Sequence, residues 1–318
     1  NDFIDMRQLE SLPEGSSGRI YGDVQTMRDA VFVQGGNDTL YGTQAQNYIF
    51  GDSSSAGAGT TIAAGDDTIY GGGVEDTIYG DVGLEHAGSI ISGGDDLIYS
   101  GNGDDEIFGG GGNDRIYAGS GADVVRAGDG DDYVRVGGGV EQLFGGSGED
   151  YISYYDSAGG ITIDLQTNSV SRSWASNDQI SGFTSVSTSK TGNDIAKGTD
   201  GDNVIRTYGG NDSVHDRRGD DRVSLGSGDD YVRAGGGADS YDGGSGVDYI
   251  SYYDSSNGVT LDLRANTASG SWASNDTVKN FEGASGSKTG GDTIRGTDGA
   301  NVIRTYGGDD YISSRDGD

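Results

Sequence analysis

An acidic residue recurs at every ninth position through long stretches of this chain, and what carboxylates at that spacing can do is bind hard cations. Between residues 100 and 153, six nine-residue units follow one another without a gap; allowing for degeneracy, each reads Gly, Gly, variable, Gly, variable, Asp, variable, aliphatic, variable. Gly109-Gly110-Gly111-Gly112-Asn113-Asp114-Arg115-Ile116-Tyr117 is the cleanest copy. The sixth-position acids are Asp105, Asp114, Asp123, Asp132 and Asp150 in that array, with Asp38, Asp67, Asp76 and Asp96 before it and Asp212, Asp221, Asp230, Asp239, Asp248 and Asp310 after it. These are the candidate metal ligands. Asn203 and Asn301 replace the acid, Glu141 stands in for it, and Val74 replaces a glycine, so those turns are expected to bind weakly or to hold no ion.

Something must bring these acids together. Glycines at the first, second and fourth places permit positive-φ turns and leave carbonyls free to approach an ion. The aliphatic at the eighth place reads as a very short strand with one inward side chain. Two nonamers then make one turn of a coil, so residues eighteen apart stack. This gives one inner column of Ile98, Ile116, Val134 and Ile152, and a facing column of Ile107, Val125 and Leu143. The acids stack likewise, Asp96, Asp114, Asp132 and Asp150 on one edge and Asp105, Asp123 and Glu141 on the other. Like charges at the ~4.8 Å spacing of neighbouring strands repel unless cations lie between them. Ca²⁺ is the natural candidate, because it accepts carboxylate and carbonyl oxygens in flexible geometry.

The nonapeptide resembles the glycine-rich calcium-binding repeat of RTX proteins, over most of the chain. The resemblance implies an all-β fold, a right-handed parallel β-roll or β-helix solenoid of stacked repeats with several Ca²⁺ ions between turns. It also implies secretion from a Gram-negative bacterium by a type I system, hence an extracellular or cell-surface location.

Composition points the same way. The net charge is -32 over 318 residues, with 62 Gly, 1 Pro, no Cys and 32% hydrophobic residues. Such a chain has no broad core, and low hydrophobicity with high charge predicts a largely unfolded metal-free state. The acidity argues against a nucleic-acid partner, and no apolar run approaches a membrane span. Sites of the ~10⁻⁴ to 10⁻³ M class fill in extracellular Ca²⁺ and stay empty in the cytosol.

Six segments follow from the periods. Residues 1–99 hold units of 29 residues, marked by Ile20, Ile49 and Ile78 and by Leu40, Ile69 and Ile98, with insertions near 53–64 and 82–92 expected to protrude as loops. Residues 100–153 are the uninterrupted nonamers. A β-rich spacer (154–197), nonamers (198–251), a second spacer (252–295) and a further run of nonamers (296–318) complete the chain, the spacers repeating at 98 residues: Trp174-Ala175-Ser176-Asn177-Asp178 returns as Trp272-Ala273-Ser274-Asn275-Asp276. In the spacers, residues 161–165 and 259–263 alternate as half-buried strands, with Ile180 and Phe183, or Val278 and Phe281, expected to close on them. Residues 6–12 are the one weak helix candidate, ended by Pro13. Both termini fall inside a repeat, which reads as a segment of a longer polypeptide.

Catalysis finds no constellation. Asp66-Asp67, Asp104-Asp105 and Asp229-Asp230 are neighbours at positions five and six and should face different ways, whereas glycosidase chemistry needs opposed carboxylates across a cleft. His86 and His215 are isolated and expected in solvent, and no His-Glu-x-x-His or Gly-x-Ser-x-Gly motif occurs. Tyr99, Tyr117 and Arg135, and on the other sheet Phe108, Arg126 and Phe144, should form outward columns that stiffen the roll; a glycan-contact surface is the alternative. Trp174 and Trp272 read as spacer core. The expectation is a non-enzymatic structural or adhesive component such as a surface layer, matrix fibre or adhesin, with self-association or cell-surface polysaccharide as partners. The alternative is a calcium-dependent secretion and folding region of a larger enzyme or toxin.

Overall fold

Strands here are three to six residues long, because each nonamer spends half its length on a glycine turn. The computed structural model describes residues 3–5, 18–23, 32–56, 60–84 and 89–315. The helix expected at 6–12 and His86 fall outside them. Among the described residues, regular structure consists of β-strands and one 3-10 turn, Ser173–Ala175, and no helix is long and apolar enough to cross a membrane.

The chain divides into two units, residues 1–153 with 175–183, and residues 154–174 with 184–318. In the first, the eighteen-residue register holds: Ile98 pairs with Ile116, Ile116 with Val134, and Val134 with Ile152, all in parallel. The facing ladder runs Ile78, Ile107, Val125, Leu143. Every one of these side chains is fully buried. Upstream the register lengthens to 29, aligning Leu40 with Ile69 and Ile98, and Ile20 with Ile49 and Ile78.

Three expectations need correction. The core is wider than one side chain per nonamer, because the first position also points inward: Ala118, Ala127, Val136 and Leu225 are buried there. Its glycines accordingly keep ordinary φ, and the left-handed values fall at the second and fourth places, as in Gly110 (122°) and Gly112 (107°). A Cβ on Gly112 would stand 2.1 Å from the Gly94 carbonyl of the preceding turn, so the close stacking of turns requires glycine.

Where they are described, the insertions of the 29-residue units do not protrude as loops. They carry strands Thr61–Ala63 and Ile90–Ser92, which pair in parallel with each other and with Phe32–Gln34 to form a third face. Ile62 is fully buried there with Ala56, against Ala64, Val82 and Ile91. A stacked insertion meets its own copy 29 residues on, so its backbone groups find partners and its aliphatic a core.

The spacers also close differently. Thr162–Asp164 forms an antiparallel hairpin with Ser169–Ser171, and Val259–Asp262 with Thr267–Gly270. Gln179–Ser181, which carries Ile180, adds instead in parallel to Gln142–Ser147 of the first unit. Asp276–Lys279, which carries Val278, pairs with the hairpin return Thr267–Gly270 and with Ser240–Ser245. The hairpins stay legible only as short polar turns, because their return strands carry single inward residues such as Ala268.

The 98-residue period extends to side-chain contacts. In the second unit Arg217 forms a bidentate pair with Asp164 (2.8 Å to each oxygen), and Arg315 does so with Asp262 (2.6 Å). Tyr155 meets Tyr208 edge-on at 4.8 Å with Lys190 over its face, as Tyr253 meets Tyr306 at 4.7 Å with Lys288.

Candidate metal centre

Each sixth-position acid sits between the glycine turn and the strand, which aims its side chain back under the turn. Asp38, Asp67, Asp76, Asp96, Asp105, Asp114, Asp123, Asp132, Asp150, Asp212, Asp221, Asp230, Asp239 and Asp248 are all at most 3% exposed; Asp310 is half-buried. One carboxylate oxygen takes a backbone bond from the preceding turn: the Asp96 N–H donates to Asp114 Oδ1 (2.8 Å), Asp114 to Asp132 (2.8 Å) and Asp132 to Asp150 (3.0 Å). The opposite edge repeats this from Asp76 through Asp105 and Asp123 to Glu141, and the second unit from Asp194 through Asp212 and Asp230 to Asp248. Asp38 donates to Asp67, Asp221 to Asp239, and Asp310 accepts from Asp292.

The second oxygen is the informative one. In Asp67, Asp76, Asp96, Asp105, Asp114, Asp123, Asp132, Asp212, Asp221, Asp230 and Asp248 it is buried with no hydrogen-bond partner. A buried carboxylate oxygen without a donor is costly, on the order of 1–3 kcal/mol or more. Burial first, and neighbouring acids after it, push the Asp96 carboxyl up to about 11, and burial raises Asp114 and Asp123 to about 8 against the pull of their backbone donors. Rows of bare hard oxygens stacked beside glycine carbonyls are a donor set that suits Ca²⁺.

The structure adds members that the nonamer pattern did not flag. Glu141 accepts the Asp123 N–H and donates its own to Asp178; Asp239 donates to Asp276, and Asp248 to Glu282. Asp194 and Asp292 are buried and accept from Ile161 and Val259. A signal was present: Asn177-Asp178-Gln179-Ile180 and Asn275-Asp276-Thr277-Val278 are the second halves of nonamers without their glycines, and Gly192-Asn193-Asp194-Ile195 keeps only the fourth-place glycine. Asp52 and Asp81, second-position acids at the corner where the third face departs, are also buried. Gly65 N–H donates to Asp52 and Gly94 N–H to Asp81, and burial followed by Asp67 and Asp81 pushes Asp52 up to about 9.

Three turns are built otherwise. Asn47, Asn203 and Asn301 occupy the sixth place with Thr43, Thr199 and Thr297 at the second. In each the amide oxygen accepts the threonine N–H, at 3.2, 2.7 and 2.8 Å. Asn47 Nδ2 donates to the Ala45 carbonyl (2.7 Å), Asn301 Nδ2 to the Gly299 carbonyl, and Asn203 Nδ2 to Thr199 Oγ1 (2.7 Å). The amide hydrogens thus take acceptors inside the turn, a carbonyl for Asn47 and Asn301 and the threonine hydroxyl for Asn203.

Fifth-position acids behave oppositely to their neighbours. Asp66, Asp104 and Asp229 are exposed beside buried Asp67, Asp105 and Asp230, and Asp104 Oδ1 accepts from the following turn at Ala122 (2.7 Å). His215 is half-buried rather than fully in solvent; burial and then Arg233 and Arg217 hold its pKa below the usual value. Trp272 lies against Gly236, 3.5 Å from where a Cβ would be. The outward columns stack: Tyr70 on Tyr99 at 5.1 Å, Tyr99 on Tyr117 at 4.6 Å, with Arg135 over Tyr117 and Arg126 over Phe108 and Phe144.

No curated protein matches this chain. A family model, the RTX calcium-binding nonapeptide repeat, matches at residues 28–55, 63–83, 91–125, 117–152, 189–215, 217–250 and 288–318, more than half of the length. The stacked acids, the glycine turns and the parallel roll agree with it, and the chain belongs to the RTX calcium-binding nonapeptide repeat family.

Proposed function

We propose that the sixth-position aspartates ligate Ca²⁺ between successive turns, and that the calcium-loaded roll is a secreted structural or adhesive element of a cell surface or extracellular matrix. The bare buried carboxylate oxygens support the first part. When bound, Ca²⁺ supplies countercharge and oxygen coordination; the chain supplies Asp side chains held by cross-turn N–H bonds and glycines that let turns approach.

The observation that carries the second part is the 98-residue repetition down to individual contacts, Asp164 with Arg217 and Asp262 with Arg315. A module that recreates its own spacer, ion pair and aromatic corner grows by stacking, and stacked repeats make stiff, extensible rods. Export by a type I system into millimolar Ca²⁺ fits sites that would stay empty in a cytosol. The test is electron microscopy of cells and of purified protein with and without chelator. Extended assemblies that dissolve in EDTA support the reading; compact monomers at millimolar Ca²⁺ joined to a hydrolytic domain overturn it in favour of a secretion and folding region of a larger enzyme.

A further inference from the structure

The first position of the nonamer points into the core, and through 198–251 it carries Gly198, Thr207, Asp216, Leu225, Ala234 and Gly243. Asp216 is the exception in chemistry. Its side chain is fully buried where neighbouring turns put Leu225 and Ala234. It lies beside two sixth-position acids, and one oxygen from each of Asp216, Asp221 and Asp239 falls within 4.8 Å of the others.

The donors present do not satisfy this group. Tyr241, itself fully buried at an inward position, shares its hydroxyl between Asp216 Oδ2 (2.6 Å) and Asp239 Oδ2 (2.9 Å). Asp221 Oδ1 and Asp239 Oδ1 accept the N–H groups of Asn203 and Asp221. Asp216 Oδ1 and Asp221 Oδ2 remain buried without a hydrogen-bond partner. The cation next in sequence, Arg217, is committed to Asp164 at 2.8 Å. Three carboxylates buried together, with one shared hydroxyl and a few backbone N–H groups as their donors, lack the positive charge that would balance them.

We infer that Asp216 joins the repeat ligands Asp221 and Asp239 in a three-carboxylate cation site, one that binds Ca²⁺ more tightly than the other repeat sites and selects trivalent lanthanide ions over Ca²⁺ more strongly. A further carboxylate raises the charge of the donor set, and ligand charge is what tunes affinity among oxygen sites. The residue 98 positions on is Ser314, so the site belongs to one copy of the long repeat alone. It does not depend on whether the assembled protein is a fibre, a layer or an appendage.

The test titrates Tb³⁺ into the full chain held in Ca²⁺ and reads tyrosine-sensitised luminescence, with Tyr241 as the nearby antenna. One equivalent should bind at least tenfold tighter than the rest. Asp216→Ala, which places the Ala234 residue type at the same repeat position, should abolish that first phase while circular dichroism in Ca²⁺ and the later phases persist. Asp216→Asn, which keeps an acceptor for Tyr241, should abolish it too; Tyr241→Phe should dim it and leave its stoichiometry. A wild-type titration without a one-per-chain tight class overturns the site, as does a tight phase that survives Asp216→Asn. A chain whose β signal ignores Ca²⁺ altogether would instead count against calcium ligation by the repeats.

Discussion

Asp114 and Asn203 occupy the same place in the nonamer and solve the same problem in opposite ways. Asp114 Oδ1 reaches across to the Asp96 N–H of the preceding turn and leaves Oδ2 bare in the interior. Asn203 turns back on Thr199, its oxygen taking the backbone N–H and its nitrogen donating to the hydroxyl. One turn is closed by a charge it lacks, the other by hydrogen bonds it carries. Under the proposed calcium ligation, the difference of a single donor group separates a turn that needs a metal for its order from one that supplies its own.

The largest effect should come from removing the metal. With chelator at neutral pH, circular dichroism of the full chain should fall to coil, because the Asp turns outnumber the Asn turns and the thin core does not offset their repulsion. Millimolar Ca²⁺ should restore the β signal and Mg²⁺ should do so poorly, since Mg²⁺ resists dehydration and demands a strict octahedron. A metal-free chain already fully β would falsify the contrast between the two turn types.

Protons should substitute for metal in part. Burial raises the folded-state pKa to about 6 in Asp105 and Asp150, about 7 in Asp132 and about 8 in Asp114 and Asp123. These values lie above the unfolded ~3.9, so protonation favours the fold. That contribution is complete below the unfolded value and is lost as pH rises through 6 to 8. In chelator the β signal should therefore grow on acidification from pH 8 towards pH 4.5; identical coil spectra at both would show that these carboxylates are not what unfolds the apo chain.

How much of this was legible before the structure depended on what a period can encode. Register was: Ile98 over Ile116 over Val134 follows from eighteen, and Leu40 over Ile69 from 29. The acid columns were too, since they ride on the same register. What the period does not encode is direction within the turn. Ala118 and Val136 stand where the pattern has glycine and prove to be core, so the period gave no sign that Asp216 at the same place would point inward. The third face was missed because Thr61–Ala63 offers one inward aliphatic, too little for pattern but enough once its copy lies alongside. Asn47 passed unnoticed because Thr43 and Asn47 are ordinary turn residues; only their mutual bonds make them an alternative to a charged ligand.

Removing one charged ligand should be a local version of metal removal. Asp132→Ala deletes an acid between Asp114 and Asp150 and leaves the Asp114 N–H without its acceptor. Calcium stoichiometry by equilibrium dialysis should fall, and stability in saturating Ca²⁺ should drop by about 2–4 kcal/mol, the loss being a buried acceptor together with a metal contact. The opposite edge, built on Asp105 and Asp123, should keep its ions. Unchanged stoichiometry and melting temperature together would remove sixth-position acids from the ligand set.

The smallest and sharpest test converts one kind of turn into the other. In Asn203→Asp the side chain keeps its shape and still accepts the Thr199 N–H, but it loses the donor to Thr199 Oγ1 and gains a charge at a site only 2% exposed. At low Ca²⁺ the variant should be less stable than wild type by about 1–3 kcal/mol, the scale of a buried charge-bearing group without its partner. At saturating Ca²⁺ the deficit should shrink, because Asp221 one turn on already accepts the residue 203 N–H and a carboxylate at 203 extends that acid row. The Ca²⁺ midpoint of folding, followed by circular dichroism, should therefore move to higher concentration while the plateau stability stays close to wild type. An equal loss at both ends of the titration would mean that the amide is fixed by packing, and that the Asn turn is no counterpart of the Asp turn.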